Sequence, residues 1–459
     1  MIKELNKQDT SIVNLSDRSG LHLLIPNTYK EAIISPNRTD WIQAINEEIT
    51  SMKTEEVFVP VFLRDALKEM PHESILGTRW IFTKKPERFK ARLVARGFRQ
   101  IHGINYDETF APTPTFNSLR LLFSTACLKK WSIRAFDVKV AFLHSLIDKP
   151  VYIWPPMGMN IPKFNVLKLN KALYGTKQAS RCWWLHLRAI LQRIGFRNNE
   201  EDLSTYTLNQ GNDQAILLNG LVGISIKETE DGFKFYQPNL IDKLTNLAPS
   251  KIIAKTPLPP NCQLESKYSA ARFSLNTDQS HWKALEHLIA YLRGTREMGI
   301  LINKMNVSSQ LKCFVDASWG GEGNRSTHGY VIMHGINPIG WQSKRQSTIA
   351  SSTAQSEYMA LSFAAKEVLW IYHLFVGILQ NPIAILLSDN RTAVGISTDL
   401  MNRKQTHHLI WDFNTINEFI ATHKLKLEWV STNEQLGDIL TKSLGSMKHA
   451  SFISQLNVL

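Results

Sequence analysis

LKCFVDASWG at residues 311–320, followed by ASSTAQSEYMAL at 350–361, LLSDNRTAV at 386–394 and NEQLGDILTK at 433–442, sets four carboxylates in four local settings. Asp316 ends an apolar run that reads as a strand, and Asp389 follows a second one, Ile383 to Leu387. Glu357 sits in a helical pattern, and Asp438 opens a C-terminal helix. The order through this half is strand, strand, strand, helix, strand, helix, strand, helix, which is an α/β unit. Acids delivered from two strand ends and two helices form a cage for two divalent cations, and such a cage hydrolyses phosphodiesters.

Working outward, 282–296 reads as a helix, and Asp231-Gly232 lies between two alternating runs as in a hairpin. Residues 28–55 carry helical spacing through Trp41, Ile42, Ala44, Ile45 and Ile49. Strand-like alternation covers 75–100, a helix 117–131, a strand Ser132 to Val138, and a helix 183–194 before Gly195. The 459 residues suffice for two to four domains. The net charge is +13, and between Arg79 and Arg134 twelve Lys or Arg face three acids. Such clustering points to a polyanion partner, because it releases counterions from phosphates. Cys127, Cys182, Cys262 and Cys313 form no CxxC pair, so neither a zinc site nor a disulfide framework is expected. With no signal pattern and no apolar run long enough for a bilayer, a soluble chain of cytoplasm or nucleus is expected.

Four further blocks join these: KARLVARGFRQ at 90–100, GINYDETFAP at 103–112, AFDVKVAFL at 135–143 and KALYGTKQASR at 171–181. With the carboxylate blocks, they resemble the Pol polyprotein of copia-type (Pseudoviridae) retrotransposons, in its reverse transcriptase and ribonuclease H region. The resemblance implies an α+β / α/β multidomain chain. A truncated fingers–palm reverse transcriptase fold would be followed by a ribonuclease H-like α/β domain. The expected divisions are a disordered remnant at 1–25, a reverse transcriptase domain at 26–245, a connection at 246–280, the ribonuclease H-like domain at 281–446, and a tail at 447–459.

Within that resemblance, Asp137 matches the first metal-binding acid of the polymerase palm. Phe142 matches the aromatic that discriminates against a ribose 2′-OH. Lys90 and Arg92 match basic positions that meet the triphosphate or template backbone, unless they are a solvated strand face. Gln178 matches the residue beneath the templating base pair, unless it is a capping amide. Thr176 and Ser180 stand where the family usually has Leu and Pro. The second pair of palm acids, an Asp-Asp at a hairpin tip, is missing: no Asp-Asp dipeptide occurs in the chain. The sequence runs from AILL almost directly into GLVGISI, as if a segment had been lost near 218–220. One palm carboxylate cannot hold two Mg²⁺ ions in octahedral sites, so the polymerase half is expected to be inactive.

For the ribonuclease H half, the resemblance implies that Asp316, Glu357, Asp389 and Asp438 hold two Mg²⁺ (or Mn²⁺) ions. They would act on the RNA of an RNA–DNA hybrid. His408 falls near the cleft, for product release or proton transfer, or else is an ordinary surface histidine. Ser351, Ser352 and Thr353 cap the Glu357 helix or meet the substrate backbone. Ser388 and Asn390 support the backbone beside Asp389 or simply form a turn. Gly437 replaces the usual Ala, at a helix cost of about 1 kcal/mol. The expected partners are RNA–DNA hybrid and template RNA or DNA. The alternative is a non-catalytic nucleic-acid-binding remnant or pseudogene product.

Overall fold

The computed structural model describes residues 25–85, 88–211, 213–220, 224–246, 252–257, 279–305, 308–320, 325–376, 384–398, 410–422 and 425–459. Helices α1 (Tyr29–Ile34) and α2 (Arg38–Thr54) precede strand β1 (Phe58–Phe62), helix α3 (Leu63–Glu69) and strands β2 (Thr78–Lys85) and β3 (Arg88–Ala95). Next come α4 (Phe116–Lys129), β4 (Tyr152–Ile153), β5 (Asn165–Leu169), α5 (Ala179–Arg193), β6 (Arg197–Asn198), β7 (Thr205–Gln210) and β8 (Asp213–Leu218). Then follow β9 (Ser225–Glu228), β10 (Gly232–Tyr236), α6 (Pro238–Thr245), α7 (Gln279–Gly294), β11 (Ile300–Asn303), β12 (Leu311–Ser318), β13 (Thr327–His334) and β14 (Asn337–Arg345). The chain ends with α8 (Thr353–Phe375), β15 (Ala384–Ser388), α9 (Arg391–Thr398), α10 (Ile410–Ala421), β16 (Leu425–Trp429) and α11 (Ser446–Gln455). These elements form two compact units, Met1–Ala111 with Asp137–Ile190, and Pro112–Phe136 with Leu191–Leu459. The expected remnant at 1–25 lies almost wholly outside the described residues, as does most of the connection at 246–280.

In the first unit, α2 presents Trp41, Ala44, Ile45, Ile49 and Met52 at helical spacing. They bury against the inner face of the β2–β3 hairpin, where Trp80, Phe82, Ala91, Leu93 and Ala95 alternate with exposed Arg79, Ile81 and Arg92. The helical pattern at 28–55 is not one helix. It breaks at Ser35, whose ψ of 158° is the extended geometry demanded of a residue before proline. The loop after β5 then meets β3 at bare backbone. Gly175 has φ +87°, and a Cβ there would lie 2.3 Å from the Ala95 carbonyl oxygen. We expect Gly175→Ala to cost about 3 kcal/mol in a urea melt, through left-handed strain plus the clash. Gly211→Ala, at φ +60° with nothing within 4 Å, is the control, and should cost about 1–2 kcal/mol.

In the second unit, a five-stranded sheet has the order β14-β13-β12-β15-β16. Its first three strands are antiparallel, and β15 and β16 join parallel to β12. Helix α8 lays Leu361, Ala364, Ala365 and Val368 on Cys313, Val315 and Leu386. The expected α/β order is present, with one strand more than read, β11, which pairs with β10 outside this sheet, and one helix more, α10. The hairpin at Asp231-Gly232 is also present, with Phe233 opposite Glu228. The C-terminal stretch folds back as α11, whose Phe452 packs with Val331, Met333 and Leu436.

The strand expected over Ser132 to Val138 does not form. Phe136 is 83% exposed and Val138 46%. Alternating residues make a strand only if a neighbour takes up their backbone hydrogen bonds, and no described strand does so. β8 ends at Leu218 and, among the described residues, pairs with β7 alone.

Candidate metal centre

Asp316, Glu357 and Asp389 converge: each offers an oxygen within 4.8 Å of the others. Asp316 lies in β12 opposite Gly329 of β13. Glu357 stands one turn inside α8, on the stripe continued by Leu361, Ala364 and Val368, and so faces the sheet. The Ser352 hydroxyl caps that helix, accepting from the Gln355 N–H at 3.1 Å. Asp389 follows β15, where its carboxylate accepts from the Thr432 hydroxyl at 2.9 Å and its carbonyl from the Trp429 indole at 3.0 Å. Fully buried Gln435 donates from its amide to the Val315 carbonyl at 2.9 Å and, more weakly, to the Leu387 carbonyl at 3.5 Å. It thereby ties together the two strands from which the acids emerge.

The chemistry of this cluster fits a hard divalent cation. The donors are all oxygens, which suits Mg²⁺ or Mn²⁺. Asp316 is 1% exposed and Glu357 4%, and Glu357 Oε2 has no hydrogen-bond partner among the described residues. Burial, then Asp316 and Asp389, push the Glu357 carboxyl up to about 9. Burial raises Asp316 as well, against the pull of Lys442 and Thr441. Buried acids that resist ionisation gain most from a bound cation.

A pH dependence follows from Glu357. Its ordinary value is 4.5 and its folded value about 9, so the unfolded chain loses the proton first. Its contribution to stability is present below the lower value and is lost as pH rises through the window between them. In EDTA, Tm should therefore fall across that window. Glu357→Gln should flatten the fall, as read by thermal melts at matched ionic strength.

The fourth expected ligand, Asp438, does not join the cluster. It lies in a short 3₁₀ turn, Leu436–Leu440, rather than at the start of a longer helix, which begins only at Ser446. The turn lies flat over β13 because Gly329 has no side chain: a Cβ there would be 2.8 Å from both Leu440 Cβ and Thr441 Cγ2. Gly437 is likewise a close approach rather than a weak helix position, with its Cβ direction 3.0 Å from the Asp316 nitrogen. Lys442 Nζ donates to Asp438 Oδ1 at 2.5 Å and to Asp316 Oδ1 at 3.1 Å. Lys448 Nζ takes Asp438 Oδ2 at 2.6 Å, and the Thr441 hydroxyl donates to Asp316. Although burial works against it, Asp316 and Asp438 hold the Lys442 ammonium protonated well above the usual lysine range. Lys442, Lys448, Thr441 and Gln435 were not picked out from sequence. Lys442 had a signal, four residues after Asp438 within NEQLGDILTK; Lys448 had none.

Asn390 takes the plainer of its two readings: its N–H donates to Ser388 Oγ at 3.2 Å and its Oδ1 accepts from the Ala393 N–H at 3.0 Å. His408 lies outside the described residues. In the other unit, the Arg92 guanidinium sits 5.6 Å from the centre of the Tyr174 ring, and the Phe142 ring 5.2 Å from it. Tyr174 is thus a hub that sequence reading passed over. Its hydroxyl is raised by burial, then by Glu48, with a smaller push from Asp137. Lys90 is half-buried and is lowered by burial and by Arg92. Gln178 is fully buried, donating to the Asn105 carbonyl at 2.8 Å and accepting from the Gln100 amide at 2.9 Å, so it braces two loops. Asp137 is exposed, and among the described residues no further acids join it in a cation-binding group.

Residues 66–232 match the family model for reverse transcriptase (RNA-dependent DNA polymerase). The chain is 31% identical over 471 residues to the retrovirus-related Pol polyprotein from transposon RE1 of Arabidopsis thaliana, covering 84% of this chain and 32% of that protein. It is 26% identical over 510 residues to the Pol polyprotein from transposon TNT 1-94 of Nicotiana tabacum, covering 91% and 38%. The chain thus spans about a third of the length of these relatives. Both matches run longer than the 459 residues of the whole chain. The relatives therefore carry residues within the matched span that this chain lacks. A solved foamy viral protease-reverse transcriptase in complex with double-stranded DNA aligns over 85% of this chain and 69% of its own, with TM-score 0.47 and 12% identity.

Proposed function

Because the chain belongs to the copia-type retrotransposon Pol family, we propose that it hydrolyses the RNA strand of RNA–DNA hybrids and no longer polymerises DNA. The observation that carries the nuclease half is the convergence of Asp316, Glu357 and Asp389 around a buried, partnerless Glu357 oxygen. These three residues would hold Mg²⁺ or Mn²⁺. When bound, such an ion supplies Lewis acidity to a phosphodiester and a nucleophilic water at neutral pH. The protein's own part is to fix the carboxylates. Gln435 ties the two strands, Ser352 caps the helix, and Thr432 and Thr441 orient Asp389 and Asp316. The exposed face of the β2–β3 hairpin, with Arg79 and Arg92, would add counterion-releasing contacts to a nucleic-acid backbone.

Loss of the polymerase rests on three supports. No Asp-Asp pair is present in the sequence, the Asp137 segment is exposed and pairs with no strand among the described residues, and the relatives carry residues that this chain lacks. We read the chain as an internally deleted copy, with the divisions 26–245, 246–280 and 281–446 marking ancestry rather than packing. The test is incubation of the full chain with a labelled hybrid in Mg²⁺ or in EDTA, beside Asp389→Asn. Cleavage in Mg²⁺ by the parent alone supports the reading. Salt-sensitive binding with no cleavage by a folded parent would leave only the binding remnant.

A further inference from the structure

The corner that holds Asp316, Glu357, Asp389 and Asp438 also holds two ammonium groups, Lys442 and Lys448. Both oxygens of Asp438, itself 1% exposed, are taken by these lysines at 2.5 and 2.6 Å. A metal ion at Asp438 would meet two ammonium charges already in contact with that carboxylate, and their repulsion disfavours it. Lys442 bridges Asp438 and Asp316, two carboxylates otherwise in mutual repulsion, as a shared cation would. With all four acids ionised, the two ammonium groups leave two negative charges uncompensated, and one divalent ion balances them. A second divalent ion would leave surplus positive charge beside Asp316 and Asp438, carboxylates so buried that solvent screens it poorly, which is unfavourable.

We propose that Lys442 occupies the place of a second divalent cation, so that before nucleic acid arrives the corner binds a single metal ion, on Asp316, Glu357 and Asp389. This rests on the metal-centre reading above, but not on the nuclease activity. A lysine reached from four residues beyond its acid, on a turn pressed against Gly329, is held where an exchangeable ion would otherwise sit.

The experiment is titration of the metal-free full chain with Mn²⁺, counting free ion by electron paramagnetic resonance. The parent should bind one Mn²⁺ tightly, Asp389→Asn none, and Lys442→Met two, since Asp316 and Asp438 then lose their shared cation and the surplus with two ions bound falls from two positive charges to one. Two tight ions in the parent would overturn the proposal. One ion in a folded Lys442→Met, or in Lys442→Gln should Met not fold, would overturn it too. Hybrid cleavage measured on the same samples separates the two ideas. One bound Mn²⁺ without cleavage keeps the lysine assignment and sinks the nuclease, whereas cleavage by a parent holding two does the reverse.

Discussion

On the proposed nuclease reading, Asp316→Asn should lower metal-dependent cleavage of an RNA–DNA hybrid by on the order of a thousandfold, the several kcal/mol that metal-ion catalysis contributes. Asp316 is the one acid that belongs both to the three-carboxylate cluster and to the Lys442 bridge. Asn keeps the volume and still accepts from the Thr441 hydroxyl, so the turn at 436–441 stays in place. What is lost is charge. Burial already holds the Asp316 carboxyl above its ordinary range, so a neutral side chain relieves repulsion from Glu357 rather than leaving a hole. Lys442 keeps its shorter contact with Asp438. The metal-free variant should therefore melt at or above the parent in EDTA, while single-turnover cleavage collapses. A rate within tenfold of the parent would remove Asp316 from the site.

Trp41→Ala destabilises the first unit by about 3–5 kcal/mol, the range for deleting a large buried aromatic. Trp41 is 2% exposed, and its ring meets Phe82 edge-on at 5.2 Å and Phe89 at 4.6 Å. It joins α2 to both strands of the basic hairpin, so its removal costs transfer energy, opens a cavity and forfeits two aromatic pairs. Phe82 and Phe89 are anchored from different strands and cannot both collapse into the gap. Trp41→Phe keeps part of the ring contact and should cost less than half as much. Guanidinium unfolding with far-ultraviolet detection reads both, and equal midpoints for Trp41→Ala and the parent would contradict this packing.

The acids were legible because their local settings are short-range. Asp316 and Asp389 follow apolar strand runs, and Glu357 sits on a helical stripe. These patterns need only the period of a strand or helix. Asp438 was legible as a residue but not as a contact. Its placement depends on Gly329, more than a hundred residues earlier, whose bare Cα lets Leu440 and Thr441 settle on β13. The lysine clamp follows from that turn and so had no periodic signature. Ser132 to Val138 failed for the opposite reason: its alternation is a strand's, but among the described residues no strand pairs with it. Ser35-Pro36 was a local signal overridden by the longer helical pattern around it.

One reaction can hold the substrates of both the proposed nuclease and the polymerase proposed to be lost. A DNA primer annealed to a longer, end-labelled RNA template is incubated with the full chain, Mg²⁺ and deoxynucleoside triphosphates. The RNA should be cut within the hybrid while the primer stays at its starting length. An extended primer, or intact RNA with a folded protein and bound metal, would contradict the proposed function.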